Sequence, residues 1–92
     1  MKKIVIIGAG GFGAEAAWLI GRVNQRHPEF ELLGFCDDAE NKRSGVFRGF
    51  PLLGRFDEVG GCGGLDGFFC AIGNNEMRKK VFAQAAAMAV PP

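Results

Sequence analysis

An α/β domain, with a small parallel sheet between helical layers, is the fold class that this sequence predicts. Three observations predict it. Ile4-Val5-Ile6-Ile7 is a β-branched run without polar alternation, as in a strand covered on both faces. A glycine-rich turn follows at residues 8–13, and apolar residues then recur at helical spacing. Two more apolar runs, at residues 30–36 and 68–72, each end in turn-forming residues, and the second leads into another helical pattern.

Taken in order, the first strand is Ile4 to Ile7, closed by glycine. From about Gly11 to Asn24, Ala16, Leu19, Ile20 and Val23 fall at i, i+3, i+4 and i+7 and mark one helix face. Glu15 reads as an acid in the first turn that points away from the glycines, and Arg22 and Arg26 suit the negative end of the helix dipole. Pro28 ends that helix. Phe30 to Cys36 is the second strand, terminated by Asp37-Asp38. Residues 39–54 are polar and glycine-bearing, with Phe50-Pro51-Leu52-Leu53 as a short apolar anchor, and read as a long loop. Arg55 to Val59 forms a short helix, which Gly60-Gly61-Cys62-Gly63-Gly64 breaks into a surface turn. Phe68 to Ile72 is the third strand. Asn74 or Asn75 caps the last helix, with Glu76 in its first turn and Met77, Val81, Ala85 and Met88 as its core-facing row. Pro91-Pro92 reads as the start of a linker, which places the domain at residues 1–90. With right-handed crossovers the expected result is a Rossmann-like, three-layer domain whose three parallel strands are ordered 2-1-3.

Composition narrows the function classes. A chain of 92 residues buries only about 60–65% of its unfolded surface, so the core is modest. Fifteen glycines are roughly twice the average usage, and with no collagen period they serve backbone geometry. Eleven basic and ten acidic residues leave a net charge of +1, which offers no broad footprint for nucleic acid or an anionic membrane. The amino-terminal apolar run is too short for a signal peptide, and no stretch approaches the roughly 20 apolar residues of a membrane span. A cytoplasmic protein is expected. Cys36, Cys62 and Cys70 contain no Cys-x-x-Cys pair, so reduced thiols are expected and neither a zinc cluster nor a disulfide framework.

Gly8-Ala9-Gly10-Gly11-Phe12-Gly13 fits G-x-G-x-x-G between a buried strand and an amphipathic helix, the context in which that pattern binds phosphate. The first glycine permits the tight turn and the second lets backbone approach a phosphate. The third brings helix and strand close, while the helix amino terminus offers free N–H groups. Asp37 and Asp38 follow the second strand, about twenty-four residues after Gly13, where such a domain places an acid that accepts from a ribose. Gly73-Asn74 follows the third strand, across the switch point from the glycine turn. Asn74 is there either a helix cap or a ligand contact. Arg78, one turn into the helix, reaches either solvent or a phosphate. His27 is a surface residue with no second ligand beside it. One βαβαβ half cradles one nucleotide with an attached group, whereas a dinucleotide site takes two.

Four segments together, Gly8-Ala9-Gly10-Gly11-Phe12-Gly13-Ala14-Glu15, Leu33-Gly34-Phe35-Cys36-Asp37-Asp38, Pro51-Leu52-Leu53-Gly54 and Ala71-Ile72-Gly73-Asn74-Asn75-Glu76-Met77-Arg78-Lys79-Lys80, carry a resemblance. The chain resembles the amino-terminal domain of the sialic-acid O-acetyltransferase and bacterial sugar N-acetyltransferase family (PglD/NeuD type). The resemblance implies a domain that binds a UDP- or CMP-type activated sugar or a related sugar acceptor. Carried over, Gly10, Gly11 and Gly13 hold phosphates, with Gly8 and Phe12 in the same nucleotide-binding turn, Asp37 and Asp38 lie near the nucleoside, and Gly73 and Asn74 border the ligand. Phe12 stands where relatives often have histidine, and Ala14 where a basic residue is common. Family members continue into a left-handed β-helix that trimerises, binds acetyl-CoA and supplies a catalytic histidine. No hexapeptide repeat occurs in this chain, so it is expected to bind no cofactor of its own, to hold no metal and to contain no catalytic residue. A reading from a different class is a stand-alone module that senses NAD(H) or another adenine nucleotide.

Overall fold

The computed structural model describes residues 1–60 and 64–88. Residues 61–63 of the turn expected at 60–64, with Cys62, and the expected linker at Pro91-Pro92 lie outside the described residues. The chain runs β1 (Lys2–Ile7), α1 (Gly11–Arg26), β2 (Phe30–Cys36), a 3-10 turn (Glu40–Lys42), β3 (Val46–Phe47), β4 (Phe50–Gly54), α2 (Phe56–Gly60), β5 (Gly67–Cys70) and α3 (Asn75–Ala87).

The sheet has five strands in the order β3-β4-β2-β1-β5. β1 pairs in parallel with β2 and β5, β4 pairs in parallel with β2, and β3 pairs antiparallel with β4. The expected three-stranded, all-parallel sheet is therefore corrected to a mixed five-stranded one, although β2-β1-β5 keep the expected neighbours. The error lies in residues 39–54, read as a loop. They fold into a hairpin whose second strand extends the sheet beyond β2. Pro51 and the shortness of both strands mask the pattern in sequence. Gly34 makes the pairing possible, because a Cβ there would collide with the Pro51 carbonyl of β4. The register of β1 on β2 skips Leu33, so a bulge immediately precedes this close approach.

Two apolar layers hold the sheet. On one face α1 packs Ala16 and Ala17 against Ile6, Phe35 and Ala71, with Phe35 edge-on to Phe47 at a centroid distance of 5.0 Å. On the other, Val81 and Ala85 of α3 and Phe56 of α2 cover Val5, Ile7, Phe68 and Cys70. α1 is rotated from the face expected. Its buried residues are Gly13, Ala16 and Ala17, whereas Leu19 and Val23 are exposed. Small residues win because Gly13 draws the helix so close to β1 that large side chains are displaced to the flanks. α1 also begins at Gly11, with no acid in its first turn, so Glu15 belongs to the second turn and is exposed. Asn24 closes the layer by donating to the Phe30 carbonyl at 2.8 Å and accepting the N–H groups of Glu29 and Phe30.

Candidate functional site

The chain leaves β1 for α1 on one side and enters α3 from β5 on the other, so the carboxyl ends of β1 and β5 border a crevice. Gly8 begins it. Its φ of +108° is a conformation that favours glycine, and its N–H donates to the Cys36 carbonyl at 2.8 Å. A Cβ at Gly8 would lie 2.8 Å from the Ala71 carbonyl oxygen. Gly13 is the packing glycine of the motif, since a Cβ there would collide with the Gly8 carbonyl. By contrast, a Cβ at Gly10 or Gly11 meets nothing within 4 Å. Gly10 is the N-cap of α1 and makes no side-chain cap. The first intrahelical bond runs from Ala14 N–H to Gly10 O at 2.9 Å. The N–H groups of Gly11, Phe12 and Gly13 thus have no intrahelical acceptor. Phe12 is exposed beside them.

Asp37 holds this turn from β2. Its carboxylate accepts the Ala9 N–H at 2.9 Å through Oδ2 and the Ala39 N–H at 2.9 Å through Oδ1. Asp38 is exposed, and its backbone carbonyl accepts from Arg43 at 3.2 Å. Asn74 is a helix cap. Its Oδ1 accepts the N–H groups of Glu76 at 3.0 Å and Met77 at 3.1 Å. Gly73 is exposed, with open space where a Cβ would sit. Arg78 is half-buried. Its guanidinium donates to the carbonyls of Cys70 and Ile72 and lies 6.0 Å from the centre of the Phe82 ring.

Beside the turn is a cavity of about 170 Å³. Ile7, Cys36, Phe56, Ile72 and Val81 supply its apolar wall, and Gly8, Asp37 and Asp38 close it on the strand side. Met77, Lys80 and Gln84 close it from α3. Burial, reinforced by Asp38 and Asp37, pushes the Cys36 thiol up to about 12, so the wall is uncharged there. A wider hollow of about 410 Å³ lies at the amino ends of the strands, between α1 and β5, with Lys2 and Asp66 as its charged members. It is remote from the glycine turn.

Of the residues singled out in sequence, Gly8, Asp37 and Asp38 line the cavity. Gly10, Gly11 and Phe12 stand at the start of α1, Gly13 is interior, and Gly73 and Asn74 lie in the connection from β5 to α3 and are not among the residues that line the cavity. Met77, expected in the core, is exposed to the cavity. Lys80 and Gln84 were not singled out. Their signal is the spacing 77, 80, 81, 84, a single helix face directly after the Gly-Asn loop. His27 is exposed as expected, 3.6 Å from Glu29, at the far end of α1. Among the described residues, no three His, Cys, Asp or Glu side chains cluster as metal ligands, and no helix is long and apolar enough to cross a membrane.

No curated protein sequence matches the chain. Among solved structures it is similar to UDP-D-quinovosamine 4-dehydrogenase from Vibrio fischeri, with a TM-score of 0.69 and 21% identity, over 97% of this chain and 73% of that one. That likeness establishes the fold. The model of the PglD N-terminal domain matches residues 3–85, nearly the whole described chain, and this protein belongs to that family.

Proposed function

We propose that this domain binds a nucleotide-activated sugar of the UDP or CMP type, and that it serves as the acceptor-binding part of an acetyl-CoA-dependent sugar O- or N-acetyltransferase. The observation that carries the reading is adjacency. The free N–H groups of α1 and an apolar cavity rimmed by Asp37 and Asp38 share one end of the sheet, at the point where the helices switch from one face of the parallel strands to the other. The diphosphate lies over Gly10 and Gly11, favoured by the positive end of the α1 dipole. The nucleoside enters the cavity with its ribose hydroxyls toward the acids, and the sugar extends past Gly73 into solvent. Family membership and a UDP-sugar enzyme among similar folds support this assignment.

In this reading the chain binds and orients the acceptor and carries no catalytic residue. Acetyl-CoA, the catalytic base and trimer contacts belong to a part of the protein outside these residues, and the enzyme works in the cytoplasm without nucleic-acid or membrane partners. Titration calorimetry with UDP-sugars, CMP-sialic acid and NAD tests it. Saturable binding of a nucleotide-sugar is expected, and Gly10→Val is expected to remove it. Binding of NAD with no response to any nucleotide-sugar would replace this reading with that of a nucleotide sensor.

A further inference from the structure

The outer face of α1 has an apolar centre between opposite charges. Glu15, Trp18, Leu19 and Arg22 stand at i, i+3, i+4 and i+7, so they are neighbours on one surface of the helix, away from the buried Gly13, Ala16 and Ala17. Trp18 is 60% exposed and Leu19 51%, which puts two large apolar side chains side by side in solvent. Toward β5, Leu19 and Val23 also line the wider hollow with Phe69, so the apolar surface continues onto the sheet. The Arg22 guanidinium lies 5.3 Å from the centre of the Trp18 ring. Neither Glu15 nor Arg22 forms an ion pair among the described residues. They cannot pair with each other, because the helix holds them about 10 Å apart along its axis at 1.5 Å per residue.

We propose that this face binds the same face of a second copy of the chain, as an antiparallel pair of α1 helices about a two-fold axis. The charges favour that occupant because the row is its own complement when reversed. Acid, two apolar residues and base meet base, two apolar residues and acid. With the axis level with the midpoint between Trp18 and Leu19, Glu15 meets Arg22 of the second copy, and Arg22 meets Glu15 of the second copy, since positions 15 and 22 are equidistant from that midpoint. Trp18 and Leu19 lie at the axis against their own counterparts and leave water together. Such a contact is isologous, so one patch used twice supplies both ion pairs. The two helix dipoles are opposed, which adds to it. Gly11, where α1 begins, is about 11 Å from the axis along the helix, so the glycine turn stays open and the proposal does not depend on the nucleotide-sugar reading. A single helix face is a small interface, and association is accordingly weak.

Sedimentation equilibrium between about 5 and 500 µM, the range in which a weak dimer dissociates, tests this on the wild-type chain, Glu15→Arg, Arg22→Glu and an equimolar mixture of the two variants. The wild type is expected to pass from monomer to dimer across that range. Each variant sets like charges opposite each other at both ends of the contact and is expected to weaken the dimer about tenfold or more. Both are expected to retain the wild-type Tm, because both side chains are exposed. The mixture is expected to dimerise within about threefold of the wild-type affinity, because one copy then presents only bases in the row and the other only acids. A wild type that stays monomeric throughout would overturn the proposal. So would a dimer that neither variant weakens, since the contact would then lie elsewhere. A mixture no more dimeric than its separate components would also overturn it, by showing that Glu15 and Arg22 do not face each other.

Discussion

The Asp37 carboxylate beyond the end of β2 accepts the Ala9 N–H at 2.9 Å, and this bond, together with that from Gly8 N–H to the Cys36 carbonyl, ties the second strand to the glycine turn across 28 positions of sequence. Its other oxygen accepts the Ala39 N–H. Asp37 therefore shapes the turn, while its neighbour Asp38 keeps its carboxylate exposed at the cavity rim. Two adjacent acids of the same type consequently have different duties, and substitution separates them.

Asp37→Asn replaces one acceptor oxygen with an amino group, so one of the two N–H groups loses its partner. Leaving a partly buried donor unsatisfied costs about 1–3 kcal/mol. The unfolding free energy in urea is expected to fall by that amount, and nucleotide-sugar affinity to fall with it as the turn loosens. Asp38→Asn is expected to leave stability within about 0.5 kcal/mol of wild type and to weaken binding tenfold or more if its carboxylate meets a ribose. An Asp37→Asn variant as stable as wild type would show that the Ala9 bond is dispensable.

The glycines of the turn divide in the same manner. A methyl group at Gly13 collides with the Gly8 carbonyl, so Gly13→Ala forces α1 away from β1 and is expected to cost about 1–3 kcal/mol. Gly10 has an extended φ of −134° and open space around it, conditions that a valine tolerates. Gly10→Val is expected to keep the wild-type Tm and to lose ligand binding, because its branched side chain occupies the approach to the α1 N–H groups. Thermal unfolding and calorimetry on both variants check the division. A Gly10→Val variant that binds normally would reduce the turn to a packing device.

The sequence announces the elements that depend on near neighbours. Ile4–Ile7 of β1, Leu32–Cys36 of β2 and Gly67–Cys70 of β5 are stretches without a charged residue, and α3 has Val81 and Ala85 buried at the expected spacing. It conceals those that depend on distant ones. β4 exists because Gly34, many residues earlier, has no side chain to hold Pro51 away. The rotation of α1 depends likewise on the contact between Gly13 and Gly8, which outweighs the larger apolar area of Leu19 and Val23. At the candidate site, the glycine turn and acid pair are visible because each ends a strand. That Asp37 bonds Ala9, that Arg78 turns back onto the Cys70 and Ile72 carbonyls, and that Lys80 shares a cavity with Asp38 all require the chain to be folded.

Cys36 offers a test of the cavity wall by chemistry alone. Burial, with Asp38 and Asp37 adding to it, raises its thiol from 9.0 to about 12, so about a thousandfold fewer molecules carry the reactive thiolate at a given pH. At pH 8 iodoacetamide is expected to spare Cys36 in the folded chain and to modify it in urea, as located by peptide mass spectrometry. The thiol prefers its proton in the folded state. Its stabilising contribution is therefore complete below about pH 9 and is lost as pH climbs toward 12. Cys36→Ala removes that contribution, so the decline in unfolding free energy above pH 9 is expected to be shallower in the variant. Rapid alkylation of folded Cys36 at pH 8 would contradict a closed apolar wall.

The final prediction is that this chain alone transfers no acetyl group. Acetyl transfer to an amine or hydroxyl needs a base within hydrogen-bond reach of the acceptor, together with bound acetyl-CoA. The single histidine, His27, is the obvious candidate base, and its side chain is 80% exposed beside Glu29. It follows the last residue of α1, whereas the glycine turn precedes the first. A helix of 16 residues separates the two by about 24 Å at 1.5 Å per residue. A base that far from the crevice cannot remove a proton from a sugar held there. Incubating the chain with acetyl-CoA and UDP-amino-sugars or CMP-sialic acid is expected to release no CoA above background, and His27→Ala is expected to leave nucleotide-sugar affinity within about twofold of wild type, as befits a surface substitution. Turnover by the wild-type chain that disappears in His27→Ala would place the histidine at the acceptor and contradict the position of the site itself.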